Sequence, residues 1–153
     1  MVLQKVEYTD AEILWKMQVA AFSELLDRYH DYATSPANES LDRILIRLAQ
    51  PSTYYYFIID NGEKVGAIRV EDMKDGSRKR ISPIFILKEY RGKGLAQAAI
   101  TAVEKIHGSN HWKLDTILQE KGNCHLYEKM GYRRTGKYEI INDRMTIVDY
   151  EKE

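Results

Sequence analysis

The chain has a single cysteine, Cys124, in 153 residues. No disulfide can form within it, and the composition suits a reducing compartment. It has no net charge, because 23 Lys and Arg balance 23 Asp and Glu. No global field therefore favours nucleic acid or an anionic membrane. The opening Met1-Val2-Leu3-Gln4-Lys5-Val6-Glu7-Tyr8 lacks the apolar stretch of a secretory signal, and no later run approaches membrane-spanning length. Internal repeats and low-complexity linkers are missing too. The composition is 44% hydrophobic and 30% charged. It predicts one globular domain, residues 1–153, large enough for a proper core and expected in the cytoplasm.

The hydrophobic pattern divides the chain into short elements. Val2 to Tyr8 reads as a strand, and Thr9 or Asp10 caps a helix whose apolar residues recur at helical spacing from Ile13 to Leu26 and which runs to about Tyr29. Ser35-Pro36-Ala37-Asn38 breaks that helix. A second one runs from Ser40 to Leu48, before Pro51. Three strands follow, Thr53–Asp60, Lys64–Met73 and Lys79–Leu87, turned by Asn61-Gly62 and Asp75-Gly76. A helix over Leu95–His107, a strand over Lys113–Leu118 and a short helix from Asn123 to Met130 come next. Strands Tyr132–Ile140 and Met145–Glu151 close the chain. The basic residues Lys74, Arg78, Lys79 and Arg80, interrupted by Asp75, read as a solvated hairpin rather than a binding patch.

The segment Ile84-Phe85-Ile86-Leu87-Lys88-Glu89-Tyr90-Arg91-Gly92-Lys93-Gly94-Leu95-Ala96 carries the most chemistry. A β-branched apolar run enters a basic, glycine-spaced turn that opens directly into a helix. At such a turn unpaired backbone N–H groups converge and the helix dipole adds positive potential, which makes an anion site. Gly92 and Gly94 let the backbone approach a ligand, Ala96 keeps the first turn slim, and Arg91 and Lys93 add charge for phosphates. The spacing excludes two familiar cradles. A P-loop needs Ser or Thr after Gly-Lys, and Leu95 follows Gly94 here; a dinucleotide fingerprint needs a third glycine, and Gln97 stands in its place.

Arg91-Gly92-Lys93-Gly94-Leu95-Ala96 does fit Gln/Arg-x-x-Gly-x-Gly/Ala, and so resembles the pyrophosphate loop of the GNAT superfamily of N-acetyltransferases, which bind acetyl-CoA. Leu126-Tyr127-Glu128-Lys129-Met130-Gly131-Tyr132 is similar to a second signature of that family, a short helix ending at a glycine before a strand. The resemblance implies an α/β fold: a GNAT-like acyl-CoA N-acyltransferase domain with a mixed, mostly antiparallel central sheet flanked by helices. It further implies an enzyme that transfers acetyl from acetyl-CoA to a primary amine by direct attack in a ternary complex.

In this family the backbone of the strand matching Ile84, Phe85 and Ile86 holds the pantetheine arm, and the loop from Arg91 to Ala96 takes the pyrophosphate. Tyr127 inherits the general acid that protonates the departing thiolate, and its ordinary pKa near 10 suits a donor at neutral pH. Asp115, twelve residues earlier, matches a strand position where some relatives carry the proton acceptor. The chain departs from the family at one point. Many relatives place asparagine seven residues before the tyrosine, and Glu120 stands there, so the arm contact passes to Asn123 or Gln119.

Plainer readings stand beside these. The glycines also suit a simple turn, Tyr127 a core aromatic, and Asp115 a strand-end polar residue. Cys124-His125 point apart on a helix, and no second pair has metal spacing. His107 and His111 read as surface residues beside a turn. Tyr54-Tyr55-Tyr56 splits between core and solvent, with some members available to an acceptor pocket. A non-catalytic acyl-CoA-binding or sensing domain and a generic nucleotide cradle remain alternatives to the enzyme. The acceptor is a small-molecule or peptide amine, and an exposed edge strand near the C-terminus leaves room for a homodimer.

Overall fold

The computed structural model describes residues 1–153. One seven-stranded sheet crosses the molecule in the order β1-β2-β3-β4-β5-β7-β6. Its strands are β1 (Val2–Lys5), β2 (Thr53–Asp60), β3 (Glu63–Glu71), β4 (Lys79–Ile86), β5 (Trp112–Ile117), β6 (Arg133–Ile140) and β7 (Thr146–Lys152). All neighbours are antiparallel except β4 and β5, so the predicted mixed, mostly antiparallel α/β architecture is the one observed. The helices are α1 (Ala11–Tyr29), α2 (Leu41–Leu48), α3 (Leu95–His107) and α4 (Lys121–Lys129). None is long and apolar enough to cross a membrane.

Local chemistry sets the element ends. Asn61 and Gly62 both take positive φ, 50° and 77°, as the tight β2–β3 hairpin requires. Ser40 caps α2 by accepting the Arg43 N–H at 3.3 Å. His30 turns left-handed and closes α1 with a bond from its N–H to the Leu26 carbonyl. β1 is shorter than its sequence suggests. It stops at Lys5, because residues from Tyr8 to Asp10 form a helical turn secured by the Glu7 N–H on Asp10 Oδ2.

The sheet separates two cores. α3 and α4 pack on one face, over Ile68, Val70, Ile81, Ile86, Trp112 and Leu114, while α1 and α2 cover Tyr55, Phe57, Ala67 and Phe85 on the other. β3 lies under both layers, so Val65 to Val70 are buried without a break and the strand shows no alternation. A polar group sits within the α1 layer. Gln18 is fully buried, donates to the Pro36 carbonyl and Glu39, and accepts from the Tyr55 hydroxyl. Burial without those partners would cost a few kcal/mol.

Three surface expectations are corrected by the packing. His107 is not a surface residue, since its side chain is 5% exposed. Asp72 can only accept, so Nδ1–H of the neutral ring donates to it at 3.1 Å and Nε2 accepts the Tyr56 hydroxyl at 2.9 Å. Burial lowers the His107 pKa, against the opposing pull of Asp72. The Tyr54–Tyr56 run does not divide between core and solvent: Tyr55 is buried under α1, and Tyr54 and Tyr56 flank His107 on the other face. In the basic hairpin, Arg78 is no solvated cation. It donates to the carbonyls of Trp112 and Lys152, fastening the β4 end of the sheet to β5 and β7.

β4 carries the irregularity that shapes the site. Ile81 pairs with Val70 and Ile84 with Ile68, so three steps on β4 face two on β3. The extra residue is a bulge at Ser82-Pro83. Pro83 lacks an N–H, which makes a bulge one of the few places where a central strand tolerates it. Because of the bulge, Ile81, Ile84 and Ile86 all meet the α3 core and Phe85 meets the α1 core.

Candidate active site

Past the bulge the two parallel strands part. β4 and β5 pair at only two positions, Lys79 with Trp112 and Arg80 with Lys113, although each strand continues beyond them. Where they diverge, β4 loses a ladder partner and a cleft of about 640 Å³ opens. Ile84, Phe85 and Ile86 line it between α1 (Ala21, Phe22, Leu25) and the starts of α3 and α4.

One end of the cleft is made of backbone. Gly92 and Gly94 have φ of 80° and 74°, and a Cβ on either would meet no atom within 4 Å, so both face open space. Gly94 is the N-cap of α3, and the Ala98 N–H closes on its carbonyl at 3.1 Å. The earlier amides of that first turn have no intrahelical acceptor and are free for an anion. The arrangement fits a phosphorylated, extended ligand: a donor-rich turn at one end and, behind it, an apolar strand edge that has lost its β5 partner. Arg91 lines the cleft too, but its guanidinium donates to the Ile86 carbonyl at 2.8 Å and to the Ala21 carbonyl at 3.0 Å. It ties the turn to β4 and α1 instead of extending toward solvent as a free charge.

The other end is made of side chains. Tyr127 lines the cleft from α4, 6% exposed, with its ring packed against Tyr132 and Tyr150. Burial, reinforced by the negative charge of Asp115, raises its pKa above the ordinary phenol value. Glu120, at the start of the same helix, also lines the cleft and joins the β5–α4 turn to α1, accepting the Tyr29 hydroxyl and the Arg28 guanidinium, the latter at 2.9 Å. The Tyr29 pKa rises through burial and through its bond to Glu120.

Of the residues singled out from the sequence, Ile84, Phe85, Ile86, Arg91, Gly92, Gly94, Leu95, Ala96, Asn123 and Tyr127 all line this one cleft. Lys93 does not; its ammonium lies over the Tyr90 ring, 5.8 Å from the centroid. Asp115 does not either. It sits on β5 where the strands begin to part and pairs with Arg80 at 3.2 Å. Sequence reasoning missed the Arg28–Tyr29–Glu120 bridge. Its one visible trace was the acid seven residues before Tyr127.

A parallel pair splayed at a bulge, with a glycine-lined helix start beyond it, makes a cleft suited to an extended phosphorylated ligand. Comparison with known proteins narrows this. The profile of the acetyltransferase (GNAT) family matches residues 15–132, and the chain belongs to that family, whose acyl donor is acetyl-CoA. A probable N-acetyltransferase, family 8 member 5, of Mus musculus is 30% identical over 82 residues, which span 51% of this chain and 36% of that protein. Among solved structures, the PaiA N-acetyltransferase of Thermoplasma acidophilum in complex with coenzyme A superposes with a TM-score of 0.76 at 15% identity, covering 99% of this chain and 98% of that one. The spermidine N-acetyltransferase of Vibrio cholerae with coenzyme A and spermine gives 0.75 at 15% identity, over 97% and 92% of the two chains.

Proposed function

We propose that this protein transfers the acetyl group of acetyl-CoA to a primary amine by direct attack in a ternary complex. The observation that carries the reading is the sharing of one cleft by the anion-binding start of α3, the unpaired edge of β4 and Tyr127. When bound, acetyl-CoA supplies a thioester whose carbonyl carbon the amine attacks as the C–S bond breaks. Amides of the turn from Gly92 to Ala96 hold the pyrophosphate by direction and dipole. The Ile84 backbone and the Ile86 N–H, on the side of β4 that β5 has left, would orient the pantetheine arm and polarise the carbonyl, while Arg91 holds the Ile86 carbonyl. Asn123, on the α4 wall, contacts the arm.

Tyr127 holds a proton at Oη for the sulfur as it leaves. Its raised pKa has a consequence for that step. A phenol more basic than usual does not ionise on its own near neutrality. Donation is therefore coupled to recovery of a proton from the newly acylated nitrogen, which is strongly acidic while it carries two hydrogens. Asp115 is the second acid of the family pattern, and its pairing with Arg80 outside the cleft lining makes it the weaker candidate for base.

The acceptor is a small-molecule or peptide amine. Spermidine and an alanine-terminated peptide represent the two kinds, the first matching the substrate named for the Vibrio neighbour. A cytoplasmic location rests on the lone cysteine. A homodimer would form through β6, an edge strand exposed at every residue. Calorimetric titration with acetyl-CoA, followed by thiol release with the two amines, tests the whole reading. Micromolar binding with amine-dependent thiol release is expected. Failure to bind acetyl-CoA overturns it, and binding without turnover of any amine leaves an acyl-CoA module rather than a transferase.

A further inference from the structure

Glu120 departs from the asparagine common at its position in the family, and the structure gives the departure a use. Its backbone belongs to α4: the carbonyl accepts the N–H groups of Asn123 and Cys124 at 3.1 and 3.2 Å. Its side chain turns the other way, to α1. Both contacts fall on one oxygen, because the Tyr29 hydroxyl and the Arg28 guanidinium both reach Oε2. Oε1 accepts no hydrogen bond, the side chain is partly exposed, and Glu120 lines the cleft with Tyr127.

The clamp on Oε2 is itself held. Tyr29 is 5% exposed, its carbonyl accepts Asn142 Nδ2 at 2.8 Å, and the Arg28 carbonyl accepts Arg144 at 3.4 Å. The end of α1 is thereby fixed from the β6–β7 turn, and the carboxylate is positioned by three separate elements. Other acids are less suited. Asp115 does not line the cleft and is paired with Arg80. Glu24 lines the cleft but is half exposed and paired with Arg28 and Lys88.

We propose that Glu120 receives the ammonium group of the acceptor at Oε1 and takes its proton, making it the base of the transfer. This rests on the N-acetyltransferase reading above. The proton balance is simple. An N–H of the ammonium passes its proton to the carboxylate, which becomes a carboxylic acid, and the freed nitrogen lone pair is then available to attack. After product leaves, the acid returns the proton to water. A positively charged acceptor is also drawn to this end of the cleft, which matches an aliphatic amine better than a neutral aromatic one.

Glu120→Gln keeps size and hydrogen-bonding capacity while removing charge and basicity. Calorimetry of the variant with acetyl-CoA is expected to give wild-type affinity within about twofold. Its kcat/KM with the better of spermidine and the alanine peptide should fall about 100-fold near neutrality. The deficit should shrink as pH passes the amine's own pKa, about 8 for the peptide N-terminus and about 10 for spermidine, where the acceptor supplies its own free base. Tyr29→Phe removes one anchor of Oε2 and keeps the ring. It should lower kcat/KM severalfold and displace the acid limb of the pH profile, which a purely structural contact would leave in place. A Glu120→Gln enzyme with wild-type kcat/KM and pH profile overturns the assignment while leaving the transferase reading intact. Loss of acetyl-CoA affinity in that variant also overturns it, by placing Glu120 with the cofactor or the fold. A wild-type protein that binds acetyl-CoA and acetylates neither amine overturns the transferase reading and this assignment together.

Discussion

The two ends of the cleft are built by different means. At the α3 end the working groups are backbone amides presented by two glycines within a single short stretch of chain. At the α4 end they are side chains, Tyr127 and the Arg28–Tyr29–Glu120 bridge, joining residues about ninety positions apart. A backbone site tolerates almost any side chain that stays out of the way and is damaged by one that enters. A side-chain site depends on particular atoms and is damaged when those are removed. On the proposed reading, the first binds the cofactor and the second is where protons move.

Removing an atom from the side-chain end should have the largest effect. Tyr127→Phe keeps the packing against Tyr132 and Tyr150 and deletes the hydroxyl proposed as proton donor. Turnover is expected to drop about 100-fold with acetyl-CoA affinity nearly unchanged. An affinity loss of the same size would mean that Tyr127 belongs to the binding end. The wild-type basic limb gives a further check. Because the Tyr127 pKa is raised, ionisation of this residue should not reduce activity below about pH 10, the ordinary phenol value.

Adding atoms at the backbone end should do the reverse. Gly94→Val puts a branched side chain into space the protein leaves open, at a φ of 74°. Stability should fall by about 1–2 kcal/mol from the left-handed conformation alone. Acetyl-CoA affinity should fall at least about tenfold, and isothermal calorimetry reads it directly. Unaltered affinity would move the pyrophosphate away from this turn.

Asp115→Asn distinguishes the two carboxylates. If Asp115 serves mainly as the partner of Arg80, turnover should change less than about threefold, and stability by less than about 1 kcal/mol for so exposed a pair. A loss as great as that expected for Glu120→Gln would return the base to β5.

The smallest effect concerns His107, remote from both ends. Its folded pKa is lowered by burial, so between that value and the unfolded pKa of about 6.5 the unfolded chain binds more protons. The stabilisation is present in full above about pH 6.5 and is lost as pH falls through the folded value. Thermal midpoints of the wild type should therefore decline on acidification, and His107→Gln should flatten that slope. An identical slope in the variant would assign it to other groups.

How much of this could be read from the chain follows the same division. Gly92, Gly94 and Ala96 announce the anion site because its parts are contiguous and their conformational needs are specific to residue type. Helices at 11–29, 41–48 and 95–107 were legible to within a residue or so from periodicity, and the Asn61-Gly62 turn from its chemistry. β3 hid its membership of two cores, since a strand covered on both faces has no alternation to detect. Gln18 was equally opaque. A polar residue on an apolar helix face becomes a core residue only when partners as distant as Glu39 and Tyr55 arrive.

The sequence by itself determined the family and marked out the glycine turn and Tyr127, because each is encoded in adjacent residues or in a fixed short spacing. Tertiary structure alone decided where the charges went. It turned Arg91 inward to two carbonyls, tied Asp115 to Arg80, buried His107 beside Asp72, and brought Glu120 against Tyr29 with one oxygen left free. The reason is physical. Backbone geometry is a local property of the chain, whereas the partner of a charged side chain is whichever group the fold delivers within about 3 Å of it.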